Sequence, residues 1–279
     1  MKILVSGASG QLARAIGKFW TGGNVLLPTE SELNLANRDS IRSVIQNCRP
    51  EVFLNCAAYT NVDVAESDAD QSLLVNGTAV QWIAHECDEV SALLVQISTD
   101  YVFDGRSSTP RHESDAVNPC NVYGKSKLLG EEAASASKDY LIFRTAWLYD
   151  AWGKNFFTTM LKLAEEGRPL RIVNDQFGSP TSCRALARQI QFAVENNWRG
   201  LFHATCSGEA SWFDFAEAIF KHLNPPPNFS PCPTHEYPTV ATRPAYSVLD
   251  NSRRLSRGTD LMGTWQDALS EVIADKALG

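Results

Sequence analysis

The first thirteen residues limit the fold more than any other stretch. Lys2–Ser6 (KILVS) is a short β-branched and leucine-rich run, the pattern of a strand buried on both faces of a parallel sheet. It leads directly into Gly7-Ala8-Ser9-Gly10, after which Leu12, Ile16, Phe19 and Trp20 recur at helical spacing. A strand, a glycine turn and a helix in immediate succession let backbone N–H groups and a helix N-terminus approach a pyrophosphate with no side chain in the way. The turn has the form GxxGxxA, ending at Ala13, rather than GxGxxG. Alanine at the third position still permits close packing of helix on strand.

The segments that follow alternate. Val25–Leu27, Val52–Cys56, Leu93–Ile97 and Tyr140–Arg144 read as strands, and Ser40–Asn47 and Gln71–Cys87 as helices. This pattern predicts an α/β chain with a doubly wound, Rossmann-like parallel sheet. Beyond residue 146 it becomes less regular, with helices near Asn155–Glu166, near Arg184–Asn196 and after Ser211; the proline-rich run Asn224–Pro233 reads as a loop, because proline removes a backbone donor. The expected layout is a dinucleotide-binding domain over 1–146, to which later segments return, and a smaller, mostly C-terminal α/β substrate lobe over 147–279.

Composition removes several function classes. With 279 residues, 44% hydrophobic and 20% charged, the chain can bury a large core. A net charge of −7 without clustered Lys and Arg argues against a nucleic-acid backbone as partner. The seven cysteines, at positions 48, 56, 87, 120, 183, 206 and 232, form no CxxC pair and no zinc spacing with histidine, so they read as reduced, structural thiols. No apolar run approaches the ~20 residues of a membrane span, and MKILVSG has no signal-peptide layout, so no membrane partner is expected and the expected compartment is the cytoplasm.

Three stretches carry the chemistry. In Asn121–Glu131 (NVYGKSKLLGE), Tyr123 and Lys127 stand four residues apart, on one face of a helix if the stretch is helical. A phenol beside an ammonium can donate a proton, since the positive charge stabilises the phenolate and brings its pKa down from about 10. Ser98-Thr99-Asp100-Tyr101 follows the strand at Leu93–Ile97, placing hydroxyls at the carboxyl edge of the sheet, where open α/β folds bind ligands. Asn55–Thr60 (NCAAYT) follows the strand before it with small residues, as though a ligand crosses there. Near the second strand, Glu30 is either an acidic grip on a ribose or a solvated loop residue, and no Lys or Arg in Pro28–Ser31 marks a 2′-phosphate site.

The glycine turn, NCAAYT, STDYVFDG and YGKSK, in this order, resemble the extended short-chain dehydrogenase/reductases. More narrowly, Arg144–Phe156 (RTAWLYDAWGKNF), Asn174–Thr181 (NDQFGSPT), Gly200–Ala216 (GLFHATCSGEASWFDFA) and Ala241–Leu255 (ATRPAYSVLDNSRRL) resemble the dTDP-4-dehydrorhamnose reductase family, and the resemblance covers nearly the whole chain. It implies catalytic roles for Thr99, Tyr123 and Lys127. It implies cofactor contacts at Gly7, Gly10, Gln11 and Leu12 of the turn, at Asn34 and Leu35 near the adenine, and at Ala57, Ala58 and Tyr59, with Tyr123 and Lys127 shared. Tyr59 stands where the family commonly has histidine, and Asn34 where it commonly has aspartate. Thr99, Tyr101, Trp147 and Arg243 fall at substrate positions, and Asn76 matches an asparagine that supports the site from a neighbouring helix.

The implied reaction is reduction of the C4 ketone of a dTDP-4-keto-6-deoxy-L-sugar, dTDP-4-dehydro-L-rhamnose to dTDP-L-rhamnose, with NADPH as cofactor and NADH as the alternative. Other readings are a reductase of another dTDP-4-keto-deoxysugar in secondary metabolism and a non-catalytic, nucleotide-binding regulatory relative. Some family members join subunits through a metal held by acidic residues. The matching positions here are Ala15 and Arg184, so no metal site is expected and the chain is expected as a monomer or weak homodimer.

Overall fold

The runs that read as strands all enter one sheet. The computed structural model describes residues 1–277, beginning with β1 (Lys2–Ser6), α1 (Gln11–Phe19), β2 (Asn24–Leu26), α2 (Arg38–Cys48) and β3 (Val52–Asn55). Next come α3 (Val62–Ala65), α4 (Ala69–Leu73), α5 (Ala79–Val90), β4 (Leu93–Thr99), α6 (Val122–Ser135) and β5 (Tyr140–Thr145). The remainder comprises β6 (Leu148–Tyr149), α7 (Phe156–Glu165), β7 (Leu170–Val173), β8 (Phe177–Gly178), β9 (Thr181–Ser182), α8 (Cys183–Glu195) and β10 (Gly200–His203). It closes with β11 (Ala210–Ser211), α9 (Trp212–Phe220), β12 (Phe229–Cys232), α10 (Ser252–Leu255) and α11 (Trp265–Ala277).

The sheet runs β10-β5-β4-β3-β1-β2, every neighbouring pair parallel. Its strands are apolar almost throughout because successive side chains feed two different cores. Ile3, Val5, Val52, Leu54, Val95 and Phe143 point to the layer built on α1 and α8. Leu4, Phe53, Leu94 and Ile142, one residue out of step, point to the layer built on α2 and α5. Near the carboxyl ends this second face turns polar in one row. Ser6 Oγ donates to Asn55 Oδ1 (2.6 Å), and Asn55 Nδ2 to Gln96 Oε1 (2.8 Å), so three buried polar side chains satisfy one another across three strands.

The chain reverses its direction of travel across the sheet between β1 and β3, which defines a switch point beyond their ends. Segments past residue 146 return to this layer: β10 pairs with β5 from Gly200↔Leu141 to His203↔Arg144, and α8 packs on α1. The smaller pairs β6/β9, β8/β11 and β7/β12 lie in the 147–279 span, whose residues 278 and 279 fall outside the described residues.

Two local differences from the sequence reading have physical causes. The expected loop Asn224–Pro233 contains β12, with Pro231 opposite Ile172; a two-stranded pair has only edge strands, where a missing N–H is tolerated. The single helix expected over Gln71–Cys87 is interrupted by a π-helical turn at Leu74–Thr78, which carries Asn76. Asn76 Nδ2 donates to Ser126 Oγ of α6 (2.9 Å), and Ser72 Oγ reaches the same hydroxyl (2.9 Å). Contact between the two helices is close enough that a Cβ on Gly130 of α6 would lie 2.2 Å from the Asn76 carbonyl oxygen. Gly130→Ala is therefore expected to lower stability by about 1–3 kcal/mol through overpacking, outweighing the gain of about 1 kcal/mol in helix propensity. Thermal denaturation of the variant against wild type measures this, and an unchanged or raised Tm would contradict the packing.

Candidate active site

A crevice of about 540 Å³ opens at the switch point, between the Gly7–Leu12 turn, the Cys56–Ala58 segment, the end of β4, α6 and the Ala146–Leu148 segment. Gly7 has φ +73°, and a Cβ there would come within 2.8 Å of the Ala57 Cα, so the ends of β1 and β3 meet backbone to backbone. Gly10 N–H donates to Gly7 O (2.8 Å), closing the turn, and Gly10 then caps α1 without a side chain. Bare backbone, a helix N-terminus and a volume in the range of nucleotide sites together fit a dinucleotide pyrophosphate.

Of the residues singled out from sequence, Gly7, Gly10, Gln11, Leu12, Asn34, Leu35, Ala57, Ala58, Thr99, Tyr123, Lys127 and Trp147 line this crevice. Tyr59, Tyr101 and Arg243 are not among its lining residues, each for a visible reason. The Tyr59 hydroxyl donates to Asp68 Oδ2 (3.1 Å), while its main chain is held at both N and O by Asn76. Tyr101 packs edge-on against Tyr123, ring centroids 5.8 Å apart. Arg243 forms an ion pair with Asp63 at 2.8 Å, leaving its Nη1 buried without a partner. Gln11 turns its side chain away from the turn: Nε2 donates to Leu148 O (3.0 Å) and Oε1 accepts from Asn155 Nδ2 (3.1 Å). Glu30 lines the crevice as an exposed side chain.

Helix α6 is started by Asn121, whose Oδ1 accepts from Gly124 N–H (2.8 Å) and whose Nδ2 reaches Thr242 O (2.9 Å). This cap sets the first turn so that Tyr123 and Lys127 both face the end of β4. Burial pushes the Tyr123 phenol up to about 12; Thr99 opposes this and Asp100 reinforces it. The expected depression of the phenol by Lys127 is not found: burial governs the shift, and the Lys127 ammonium donates instead to Ile97 O at 2.6 Å. Burial pushes Lys127 down to about 8, against the opposing pull of Glu131. Thr99 Oγ1 donates to Asp100 Oδ1 (2.9 Å) and accepts from Tyr101 N–H (3.2 Å), which fixes the hydroxyl beside the phenol.

Trp147 stands at φ +47° and stacks flat on Trp212, centroids 3.4 Å apart and planes 2° from parallel. A non-glycine residue held there is strained, and the stack accounts for its persistence. Trp212, which carries the far side of this wall, has no signal in the sequence beyond its aromatic type. Ala15 is buried, and Arg184 is buried in an ion pair with Asp150 that also engages Asp275 at 3.2 Å. Among the described residues no group of three or more His, Cys, Asp or Glu side chains could hold a metal ion, and no helix is long and apolar enough to cross a membrane.

A doubly wound sheet with a nucleotide-sized crevice at its switch point and a tyrosine–lysine helix beside it defines an NAD(P)H-dependent oxidoreductase of the extended short-chain dehydrogenase/reductase kind. A family model described as "RmlD substrate binding domain" matches residues 1–278. A dTDP-4-dehydrorhamnose reductase of Burkholderia thailandensis is 40% identical, over 99% of this chain and 99% of its own. A dTDP-4-keto-6-deoxy-D-glucose reductase of Streptomyces niveus is 38% identical, over 96% of this chain and 95% of its own. The crystal structure of dTDP-4-dehydrorhamnose reductase from Bacillus anthracis in complex with NADP has a TM-score of 0.95 and 33% identity, covering 99% of this chain and 100% of that one. The chain belongs to the dTDP-4-dehydrorhamnose reductase family.

The crevice also makes a stability prediction. Burial raises the Asp100 carboxyl to about 6, with hydrogen bonds from Ser247 and Thr99 opposing. The folded state thus holds this proton more tightly than the unfolded chain, so the stabilisation is full below the unfolded value of 3.8 and is lost as pH rises through about 6. Asp100→Asn, which has nothing to ionise, is expected to raise stability at neutral pH by about 1–3 kcal/mol and to give little gain near pH 4. Melting temperatures across that range check the sign, and a gain confined to acid would contradict it.

Proposed function

We propose that this protein reduces the C4 ketone of a dTDP-4-keto-6-deoxy-L-sugar with NADPH, most specifically dTDP-4-dehydro-L-rhamnose to dTDP-L-rhamnose. The observation that carries the reading is the convergence of Thr99, Tyr123 and Lys127 on one end of a crevice whose other end is a glycine turn at a helix N-terminus. A bound nicotinamide supplies the hydride. The remaining steps belong to the chain.

Tyr123, a neutral phenol at physiological pH, gives its proton to the ketone oxygen as negative charge develops there. A proton released only against an oxyanion suits a group raised by burial. Lys127, one turn along α6, would set a positive charge near the resulting phenolate and would hold the nicotinamide ribose through Nζ. Thr99 turns its hydroxyl from Asp100 to the same oxygen and orients it. Trp147 forms the sugar-side wall, Tyr101 packs edge-on against Tyr123, and Arg243, paired with Asp63, is the cation assigned to the diphosphate. Gly7, Gly10, Leu12, Ala57 and Ala58 leave room for the pyrophosphate and ribose, Gln11 braces the turn, and Asn34 and Leu35 flank the adenine. The Streptomyces relative supports a second reading, a 4-keto-6-deoxyhexose of different configuration, since nothing in the lining distinguishes the two sugars.

The test is to generate dTDP-4-dehydro-L-rhamnose enzymatically, add the purified protein with NADPH or NADH, and follow the absorbance of the reduced nicotinamide. Consumption coupled to dTDP-L-rhamnose formation is the expected result. Turnover only with another keto-sugar would replace the substrate, and binding of nucleotide without turnover of any would favour a regulatory relative. Tyr123→Phe is expected to leave NADPH affinity close to wild type and to lower the rate roughly 100-fold or more; an unchanged rate would remove Tyr123 from its role.

A further inference from the structure

Beneath Lys127 lies a buried charged cluster that the reaction described above does not use. Glu131, the next turn of α6, is 4% exposed. Its Oε1 accepts from Ser98 Oγ of β4 (2.5 Å) and from Arg144 Nε of β5 (2.9 Å), and its Oε2 accepts from Arg144 Nη2 (2.7 Å). Three elements are thus tied at one carboxylate, directly behind the crevice. A buried ion pair is a weak source of stability, since desolvating both charges offsets most of their attraction. Its position points to another use.

We propose that Glu131 is a positioning residue for Lys127, a carboxylate fixed from two strands that supplies the negative charge against which Lys127 stays an ammonium while the crevice is dry. The claim rests on the reductase reading but concerns a different group. Lys127 and Glu131 are four residues apart on one helix, so their side chains share a face, and Arg144 and Ser98 prevent the carboxylate from swinging away. The other titratable groups around Lys127 are Tyr123 on its own helix, Cys56 after β3 and Asp100 after β4, with Arg144 behind Glu131 and Lys154 and Glu30 further along the crevice. Cys56 is raised by burial and stays a neutral thiol, so Glu131 is the principal anion that acts on the ammonium.

The direction of the effect follows. Burial alone drives Lys127 towards the neutral amine, and Glu131 opposes it, leaving the group near 8. Removing the carboxylate charge moves the titration lower by about one pH unit or more. Activity that needs the ammonium is then lost at a lower pH, so the ratio of variant to wild-type kcat/KM falls as pH rises, reaching about five-fold near pH 8. A purely structural Glu131 would lower activity by the same factor at every pH.

The full-length protein labelled with carbon-13 at the lysine ε position, with the Lys127 resonance assigned from Lys127→Met, reports the titration directly by NMR and needs no substrate. Expected are a Lys127 midpoint near 8 in wild type, a lower one in Glu131→Gln and a wild-type one in Glu131→Asp, with the alkaline limb of kcat/KM moving in step. Glu131→Gln leaves Arg144 unpaired and is at risk of misfolding. The double variant Glu131→Gln/Arg144→Gln carries no unpaired charge and is expected to shift Lys127 in the same direction. A midpoint unmoved in whichever variant folds overturns the proposal. Because the NMR titration is independent of turnover, failure of the sugar-reduction assay with a shifted midpoint would sink the substrate assignment and leave Glu131 in its role.

Discussion

Contact between the backbones of Gly7 and Ala57 is the constraint on which the rest of the site depends. With the would-be Cβ of Gly7 only 2.8 Å from the Ala57 Cα, the ends of β1 and β3 approach too closely there for any side chain at position 7. Strand pairing in the sheet, from Ile3↔Val52 to Ser6↔Asn55, delivers both ends to that point in register. The buried row Ser6–Asn55–Gln96 then holds the strands together where the apolar layers run out, and Ser6 Oγ also takes the Ala57 N–H (3.1 Å). The two segments that flank the crevice floor are therefore locked by hydrogen bonds before any side chain of the site is placed.

Water exclusion is the common cause of the site's electrostatics. Tyr123 and Asp100 are pushed up and Lys127 down by the same burial, each towards its uncharged form. In such surroundings a proton moves only when a charge forms to receive it, and in the proposed reaction an anion developing on the ketone would meet three groups with little competing solvent. The cost of keeping an ammonium there is met by the carboxylate of Glu131 below it and by the Ile97 carbonyl, which accepts from both Lys127 Nζ (2.6 Å) and Gln96 Nε2 (3.0 Å).

Much of this was legible in the chain because it depends on near neighbours. The doubly wound sheet followed from short apolar runs alternating with helical periods, the crevice floor from glycines placed directly after a strand, and the shared face of Tyr123 and Lys127 from their spacing. What was not legible depends on distant partners. Arg243 is held by Asp63 from 180 positions away, Glu131 of α6 meets Arg144 of β5, and even Tyr59, nine positions from Asp68, is held by a pair that no regular spacing announces. Phe229–Cys232 became a strand despite Pro231 because β7 had a free edge. The π-helical turn around Asn76 accompanies close packing against α6, whereas the long stretch Gln71–Cys87 reads in sequence as one uninterrupted helix.

The two ends of the crevice are also mechanically joined, and one residue does most of the joining. Gln11 sits in the first turn of α1, where a pyrophosphate would lie, yet its amide holds Leu148 O, next to Trp147, and accepts from Asn155, the cap of α7, while its carbonyl accepts from Trp152 Nε1 (3.2 Å). The strained Trp147, fixed on its outer face by Trp212, is thereby referenced to the glycine turn as well. Hydride transfer requires the donor and acceptor carbons to be held roughly 3–3.5 Å apart, and a cofactor seated on one element with a sugar seated on another would leave that distance to the play between them. Under the proposed assignment, tying the Trp147 segment to the glycine turn through Gln11 would remove that play, which gives a physical reason for an amide at a position where a smaller residue would leave the turn more open.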